Sequence, residues 1–300
     1  MSFTVELKYE IGEQPGDFVI NIHAARTPLQ TVASESVAIH PPAEHSLHED
    51  PVSGNRLLRL TAAPGPLAVR YEATVDIRHH AASPALVDEV PVARLPPQVL
   101  EFIYPSRYCQ SDRLRRIAAS EFGHLRPGYW RVIAIRDWVR ARTAFMPGFT
   151  NSSTSAVDSL VEQVGVCRDF AHLMIALCRA LNIPARFATS IDYGAAAELG
   201  PPDFHAYVEA FLGDRWYMFD PTGITAPMGL VRIGTGRDAA DVSFATMFGS
   251  IKSNAPAISI VAMDDPARGY HLPRHSQQAL STSGPPRHPV PAAQPRPATG

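Results

Sequence analysis

The chain is 300 residues long, with 27 Lys and Arg against 29 Asp and Glu, a formal net charge of −2, and only 19% charged residues. That balance holds no basic excess for a phosphate backbone, so nucleic acid is not an expected partner. The 45% hydrophobic fraction is ample for a buried core. No apolar run approaches the roughly 18 residues of a membrane-spanning helix, so no membrane partner is expected. Three cysteines are too few, and odd in number, for a disulfide framework. The opening Met-Ser-Phe-Thr-Val-Glu-Leu-Lys alternates polar and apolar residues, unlike a signal peptide. A reducing cytoplasm is the expected compartment.

Residues 1–100 read as β-structure. Phe3, Val5, Leu7, Tyr9 and Ile11 are apolar, and Thr4, Glu6, Lys8 and Glu10 lie between them, so one face is buried and one is wet. Leu67, Val69, Tyr71, Ala73, Val75 and Ile77 repeat the pattern, with weaker runs at 18–22 and 57–60. Pro41-Pro42 and Pro64-Gly65-Pro66 mark turns. An antiparallel, sandwich-like domain is expected. Over 105–265 the periodicity changes. One helix is expected from a cap at Ser111 or Asp112 toward Leu125, and a second over 130–141 on the spacing of Trp130, Ile133, Ala134, Trp138 and Ala141. A third begins near Val166 or Cys167 and stops at Asn182, ahead of Pro184. Strand-like runs follow at 186–191, 204–212, 216–220, 229–233 and 257–262. Helices first and antiparallel strands later predict an α+β domain. The last stretch, 270–300, is proline-rich and poor in large apolar residues, which predicts a disordered tail.

One cysteine stands apart. Cys167, in Gly165-Val166-Cys167-Arg168-Asp169, falls where loop becomes helix, so unpaired N–H groups and the positive end of the helix dipole favour a thiolate, with Arg168 adding positive charge. A proton carrier is expected in the hairpin 203–222. If Gly213-Asp214 is the two-residue turn, Leu212 faces Arg215, Tyr207 faces Asp220, and His205 becomes a diagonal neighbour of Asp220. Cys167 then attacks a carbonyl carbon, His205 carries protons, and Asp220 orients the imidazole. The Cys167 N–H is the natural first oxyanion donor, and Gln163 could offer a second.

These residues carry a resemblance. Gly165-Val166-Cys167-Arg168-Asp169-Phe170-Ala171-His172-Leu173, His205-Ala206-Tyr207-Val208-Glu209 and Phe219-Asp220-Pro221-Thr222-Gly223 resemble the transglutaminase-like superfamily, and most closely its bacterial transglutaminase-like cysteine peptidases. The resemblance covers about residues 105–250. It implies a papain-like α+β fold with Cys167, His205 and Asp220 at the triad positions, and an accessory β-domain in front. Tyr207 stands where that family frequently has Trp, and Gly236-Arg237-Asp238-Ala239-Ala240-Asp241-Val242 resembles the stretch after the triad. The superfamily contains transglutaminases, peptidases, amidases and inactive members, so the resemblance leaves the reaction open.

The expected activity is acyl transfer from a peptide or protein amide through a Cys thioester. Hydrolysis comes first and transfer to a primary amine second, with a non-catalytic peptide-binding module as the alternative from another class. No cofactor and no metal is expected, because the residues supply nucleophile and base and the cysteines lack zinc spacing. Cys178 reads as core and Cys109 as incidental. His172 reads as a hydrogen-bonded helix histidine, His79 and His80 as solvent-facing, and Glu209, on the His205 face, as a wet position ahead of a cleft-lining one. Arg237 and Asp238 fit either a cleft border or a solvated turn, and Gly234-Thr235-Gly236 does not support nucleotide binding.

Overall fold

The computed structural model describes residues 1–51, 53–195 and 202–285. The first strands are β1 (Ser2–Ile11), β2 (Gly16–Ile20), β3 (Gln30–His40), β4 (His45–Glu49), β5 (Arg56–Ala62), β6 (Gly65–Ile77) and β7 (His80–Ala82). The alternation of β1 is realised, with Phe3, Val5, Leu7, Tyr9 and Ile11 all buried. It pairs antiparallel with β6, Val5 opposite Tyr71 and Leu7 opposite Val69. β3 went unrecognised in the sequence for a physical reason. Its register shifts between Val32 and Ser34, so apolar residues before and after that bulge stand at opposite parities.

The second half begins with α1 (Arg115–Phe122), α2 (Tyr129–Arg142), β8 (Ala144–Phe145), α3 (Ala156–Glu162), β9 (Val164–Gly165) and α4 (Cys167–Ala180). Next come β10 (Ala185–Asp192), β11 (Phe204–Leu212), β12 (Arg215–Phe219) and β13 (Leu230–Gly236), a sheet in the order β12-β11-β10-β13. α3 was not anticipated, although Ser155 and Asp158 form a capping box at its start, with the Ser155 N–H donating to Asp158 Oδ2 at 2.9 Å. α4 is buried continuously from Asp169 to Arg179, which suits a helix packed between other helices and a sheet.

The chain then returns to where it started. β14 (Ala245–Phe248) pairs with β2, while β15 (Ile251–Ser253) and β16 (Ala257–Val261) pair with β1. Residues 245–261, assigned by sequence to the second domain, therefore complete both sheets of the first. Without them β1 and β2 would be open edges. The two halves also share packing, since Ile191, Val231 and Ile233 lie in the sandwich core. Gln30 bridges them, donating to the Arg232 carbonyl (2.8 Å) and accepting from the Arg232 N–H (2.9 Å).

The expected tail is also corrected. β17 (Ala279–Ser281) pairs with β7, and residues 279–283 are buried. Ser283 Oγ accepts from Arg232 Nη1 (2.9 Å) and Arg186 Nη2 (3.3 Å), a fit that average composition conceals. Residues 286–300 of that tail lie outside the described residues. Among the described residues no helix is long and apolar enough to cross a membrane.

Candidate active site

Cys167 is the first residue of α4. The helix start is built around Asp169, whose buried Oδ2 accepts from the Val166 N–H (2.9 Å) and from Thr150 Oγ1 (2.7 Å). An acid three residues into a helix both caps it and complements the positive end of its dipole. A Cβ on Gly165 would stand 2.7 Å from Asp169 Cβ, so only glycine lets the chain enter this close. Arg168 reaches Asp169 Oδ1 (2.9 Å) and the Asn151 carbonyl (2.8 Å). Its guanidinium is thus paired with Asp169 at the helix start.

The hairpin has the expected register. Gly213 takes φ +57°, Leu212 faces Arg215 and Val208 faces Phe219. β12 ends one residue before Asp220, where Pro221 removes a ladder donor. His205 Nε2 still comes to 3.3 Å from Asp220 Oδ1, too far off line for a linear hydrogen bond. The half-buried Cys167 thiol lies close enough to the imidazole to favour its charged form. The three side chains thus converge from α4, β11 and the end of β12.

His205 is 4% exposed and Asp220 6%. Burial opposes the imidazolium, but the Asp220 charge and the contacts with Asp220 and Cys167 outweigh it, and the pKa lies well above the ordinary 6.5. Burial likewise opposes the Asp220 carboxylate, and the His205 charge with hydrogen bonds from Thr222 holds its pKa below the ordinary value. Thr222 donates to Asp220 Oδ1 from its N–H (2.9 Å) and hydroxyl (2.7 Å). Neither Thr222 nor Asp169 was singled out in the sequence, although an Asp-Pro-Thr turn and an acid at the third helical position are readable signals. At Gly223, φ +66°, an added Cβ would collide with the Arg140 guanidinium, so glycine is required in the loop after Asp220.

The remaining candidates separate. Gln163 is the left-handed residue (φ 56°) that ends α3, and its side chain is exposed. Tyr207 is fully buried and its hydroxyl donates to Glu209 Oε1 (3.1 Å), directing it along β11 away from His205. Glu209 is not a wet position. It is fully buried and accepts from Arg186 Nε (2.8 Å) and Arg232 Nη1 (3.2 Å), because the neighbouring strands β10 and β13 supply both cations. His172 is buried, stacks on Tyr108 and accepts the Ala239 N–H (3.2 Å), as a structural helix histidine should. Cys178 and Cys109 are fully buried, and burial pushes the Cys109 thiol up to about 12.

His79 and His80 are half-buried rather than solvent-facing, because β7 is covered by β17. Burial lowers the His79 pKa to about 4. Asp238 is buried and accepts from the Tyr108 N–H (2.9 Å), while Arg237 pairs with Asp241 (3.0 Å) at the surface. Gly234-Thr235-Gly236 lies in β13, and Asn55 of the first half bonds both backbone groups of Thr235 at 2.8 Å. Among the described residues no group of three or more His, Cys, Asp or Glu side chains converges as metal ligands would.

Comparison with known proteins agrees with this architecture. Residues 116–221 match the transglutaminase-like superfamily core, and residues 1–98 match the bacterial transglutaminase N-terminal domain. A crystal structure from Cytophaga hutchinsonii, described as a candidate cysteine protease, is 39% identical, covers 93% of this chain and 96% of its own, and superimposes with a TM-score of 0.82. An uncharacterized Mycobacterium leprae protein is 31% identical over 117 residues, 37% of this chain and 42% of its own. An uncharacterized Mycobacterium tuberculosis protein is 29% identical over 143 residues, 44% and 46% of the two chains. The chain thus spans less than half the length of the curated relatives it matches. The near full-length likeness to the Cytophaga protein, together with the two domain matches, places this chain in the transglutaminase-like superfamily, as a member with a bacterial transglutaminase N-terminal domain.

Proposed function

We propose that this protein is a thiol-dependent amidase or peptidase that works through an acyl-enzyme on Cys167. The observation that supports the reading is the His205 imidazole, 3.3 Å from Asp220 Oδ1 and near enough to Cys167 for the two to influence each other's charge. In this mechanism His205, as imidazolium, already holds the proton that came from the Cys167 thiol, and Sγ attacks the amide carbon. The C–N bond breaks, and the imidazolium returns the proton to the departing amine. Water then adds to the thioester, His205 accepts its proton, the S–C bond breaks, and the free acid and thiol are released. Asp220 keeps the imidazolium favourable and fixes the ring, and the Cys167 N–H at the open helix start faces the developing oxyanion. The description of the Cytophaga relative as a candidate cysteine protease points the same way.

The test follows each cysteine with iodoacetamide by peptide mass spectrometry in wild type and His205→Ala. Cys167 is expected to react at least tenfold faster than Cys109 and Cys178, and to lose most of that advantage without His205. Equal rates in the two proteins would refute the pairing. Peptide amides offered with a primary amine then distinguish the outcomes, free acid supporting hydrolysis and an amine adduct supporting transglutamination.

A further inference from the structure

Asp220 lies one residue beyond the end of β12, in the loop 220–229 that leads to β13. The Thr222 bonds to its Oδ1 come from that same loop, so they shape the turn without fixing its place relative to His205. A second anchor reaches outside the loop. The Thr225 N–H donates to Asp220 Oδ2 (3.4 Å), and the Thr225 hydroxyl donates to Asp192 Oδ2 (3.1 Å). Both residues are buried, Thr225 at 1% exposed and Asp192 at 7%.

Asp192 is the last residue of β10, and Ser190, two residues earlier, stands opposite His205 on β11. The Ser190 hydroxyl also donates to the His205 carbonyl (3.0 Å). Side chains two apart in a strand share a face, so Asp192 and His205 belong to one face of one ladder. The contacts then close a circuit. They run from the Asp220 carboxylate through Thr225 and Asp192 to β10, across to His205, and back through the 3.3 Å approach of Nε2 to Oδ1. The loop is tied to the same strand end once more, where the Tyr193 N–H donates to the Gly229 carbonyl (2.9 Å) and a Cβ on Gly229 would collide with the Tyr193 carbonyl oxygen.

Asp192 is a poor choice for packing alone. Its Oδ1 receives no hydrogen bond, and Arg232, opposite Ser190 on β13, reaches Glu209 instead. A buried carboxylate with one hydroxyl donor is costly, and an apolar side chain of similar size would fill the space. What the carboxylate supplies is an acceptor that sets the position of Thr225.

We propose that Asp192 and Thr225 are positioning residues for the triad: Asp192 holds the Thr225 hydroxyl and Thr225 holds Asp220 Oδ2, which keeps Oδ1 facing the His205 ring. This rests on the reading of Cys167 as a nucleophile paired with His205.

The test times iodoacetamide labelling of Cys167 by peptide mass spectrometry and follows the His205 titration by NMR, with thermal melts alongside. The proteins are wild type, Thr225→Val, Thr225→Ser, Asp192→Leu and the double variant Thr225→Val/Asp192→Leu. A misplacement of about 1 Å can cost about a hundredfold in rate, so losing one anchor of several is expected to slow labelling at pH 7 about tenfold in Thr225→Val. The His205 titration should move to lower pH with it. Thr225→Ser, which restores the hydroxyl, should recover the wild-type rate to within about twofold. Because the two residues act through one hydrogen bond, the double variant should be no slower than the slower single one, a non-additivity that independent sites do not show. If Thr225→Val strands the Asp192 carboxylate and fails to fold, the double variant, which buries no such charge, carries the same expectation. Thr225→Val that labels and titrates like wild type overturns the proposal. So does Thr225→Ser as slow as Thr225→Val, which makes the loss general damage, and so do single losses that multiply in the double variant. Wild-type Cys167 that reacts no faster than Cys109 and Cys178 removes the nucleophile first, and the positioning role with it.

Discussion

Glu209→Gln is the substitution that most sharply separates the buried network from a solvent-facing strand position. In the native protein the fully buried carboxylate meets Arg186 at 2.5 and 2.8 Å, Arg232 at 3.2 and 3.4 Å, and the Tyr207 hydroxyl at 3.1 Å. Arg186 and Arg232 are themselves only 11% and 6% exposed. Glutamine keeps the shape and removes the charge, leaving two desolvated guanidinium groups with no counter-charge at this position. Breaking a buried pair in this way costs about 3–5 kcal/mol, a large share of the roughly 5–15 kcal/mol that holds a folded domain. With a urea dependence of about 2 kcal/mol per molar, the unfolding midpoint should fall by about 1.5–2.5 M. A wet surface position would change stability by no more than about 0.5 kcal/mol. The measurement is urea unfolding of both proteins at pH 7, followed by fluorescence. A midpoint within about 0.2 M of wild type would refute the reasoning. The pH dependence supplies a second check. Burial raises the Glu209 pKa, but Arg186 and Arg232 more than compensate, and the folded value lies below the ordinary 4.5. Its contribution is therefore present above pH 4.5 and disappears as pH falls through the folded pKa. The difference between the two proteins should narrow over that acid range and not on the alkaline side.

Leu280→Ala should cost about 2–5 kcal/mol, because Leu280 is 5% exposed in the segment that joins β7; a thermal melt identical to wild type would return this segment to the disordered tail read from composition. Asp220→Asn removes the charge that raises the His205 pKa, so the imidazole should titrate at lower pH by NMR; an unchanged titration would mean that Asp220 does not govern the ring. The sign for stability follows, since a histidine with a raised pKa contributes fully below about pH 6.5 and loses that contribution as pH rises through its folded value. The wild type should therefore lose more stability than Asp220→Asn between neutral and alkaline pH.

Much of the candidate site was local enough to read. A glycine-led entry to a helix placed Cys167 at the helix start, and a two-residue turn set the register that brought His205 toward Asp220 across one hairpin. Both inferences involve neighbours along the chain or across one tight turn, where backbone geometry leaves few alternatives. The alternation of β1 and β6 was legible for the same reason. β3 was not, because one bulge reverses the parity on which such alternation depends.

What required the tertiary structure lies where distant segments meet. Period two in β11 separates Ala206, Val208 and Ala210 from His205, Tyr207 and Glu209, but it cannot say whether the second face is covered. Arg186 and Arg232 from β10 and β13 cover it, turning an apparent wet glutamate into a buried ion pair. In the same way, β14, β15 and β16 belong to the first half because β1 and β2 offer unpaired backbone, a demand made more than 200 residues earlier in the chain. The sequence by itself determined which residues could do chemistry and which strands alternate, because those are short-range properties. Burial, charge pairing and the path of the last segment were decided by the tertiary structure, because each depends on what another part of the chain brings alongside.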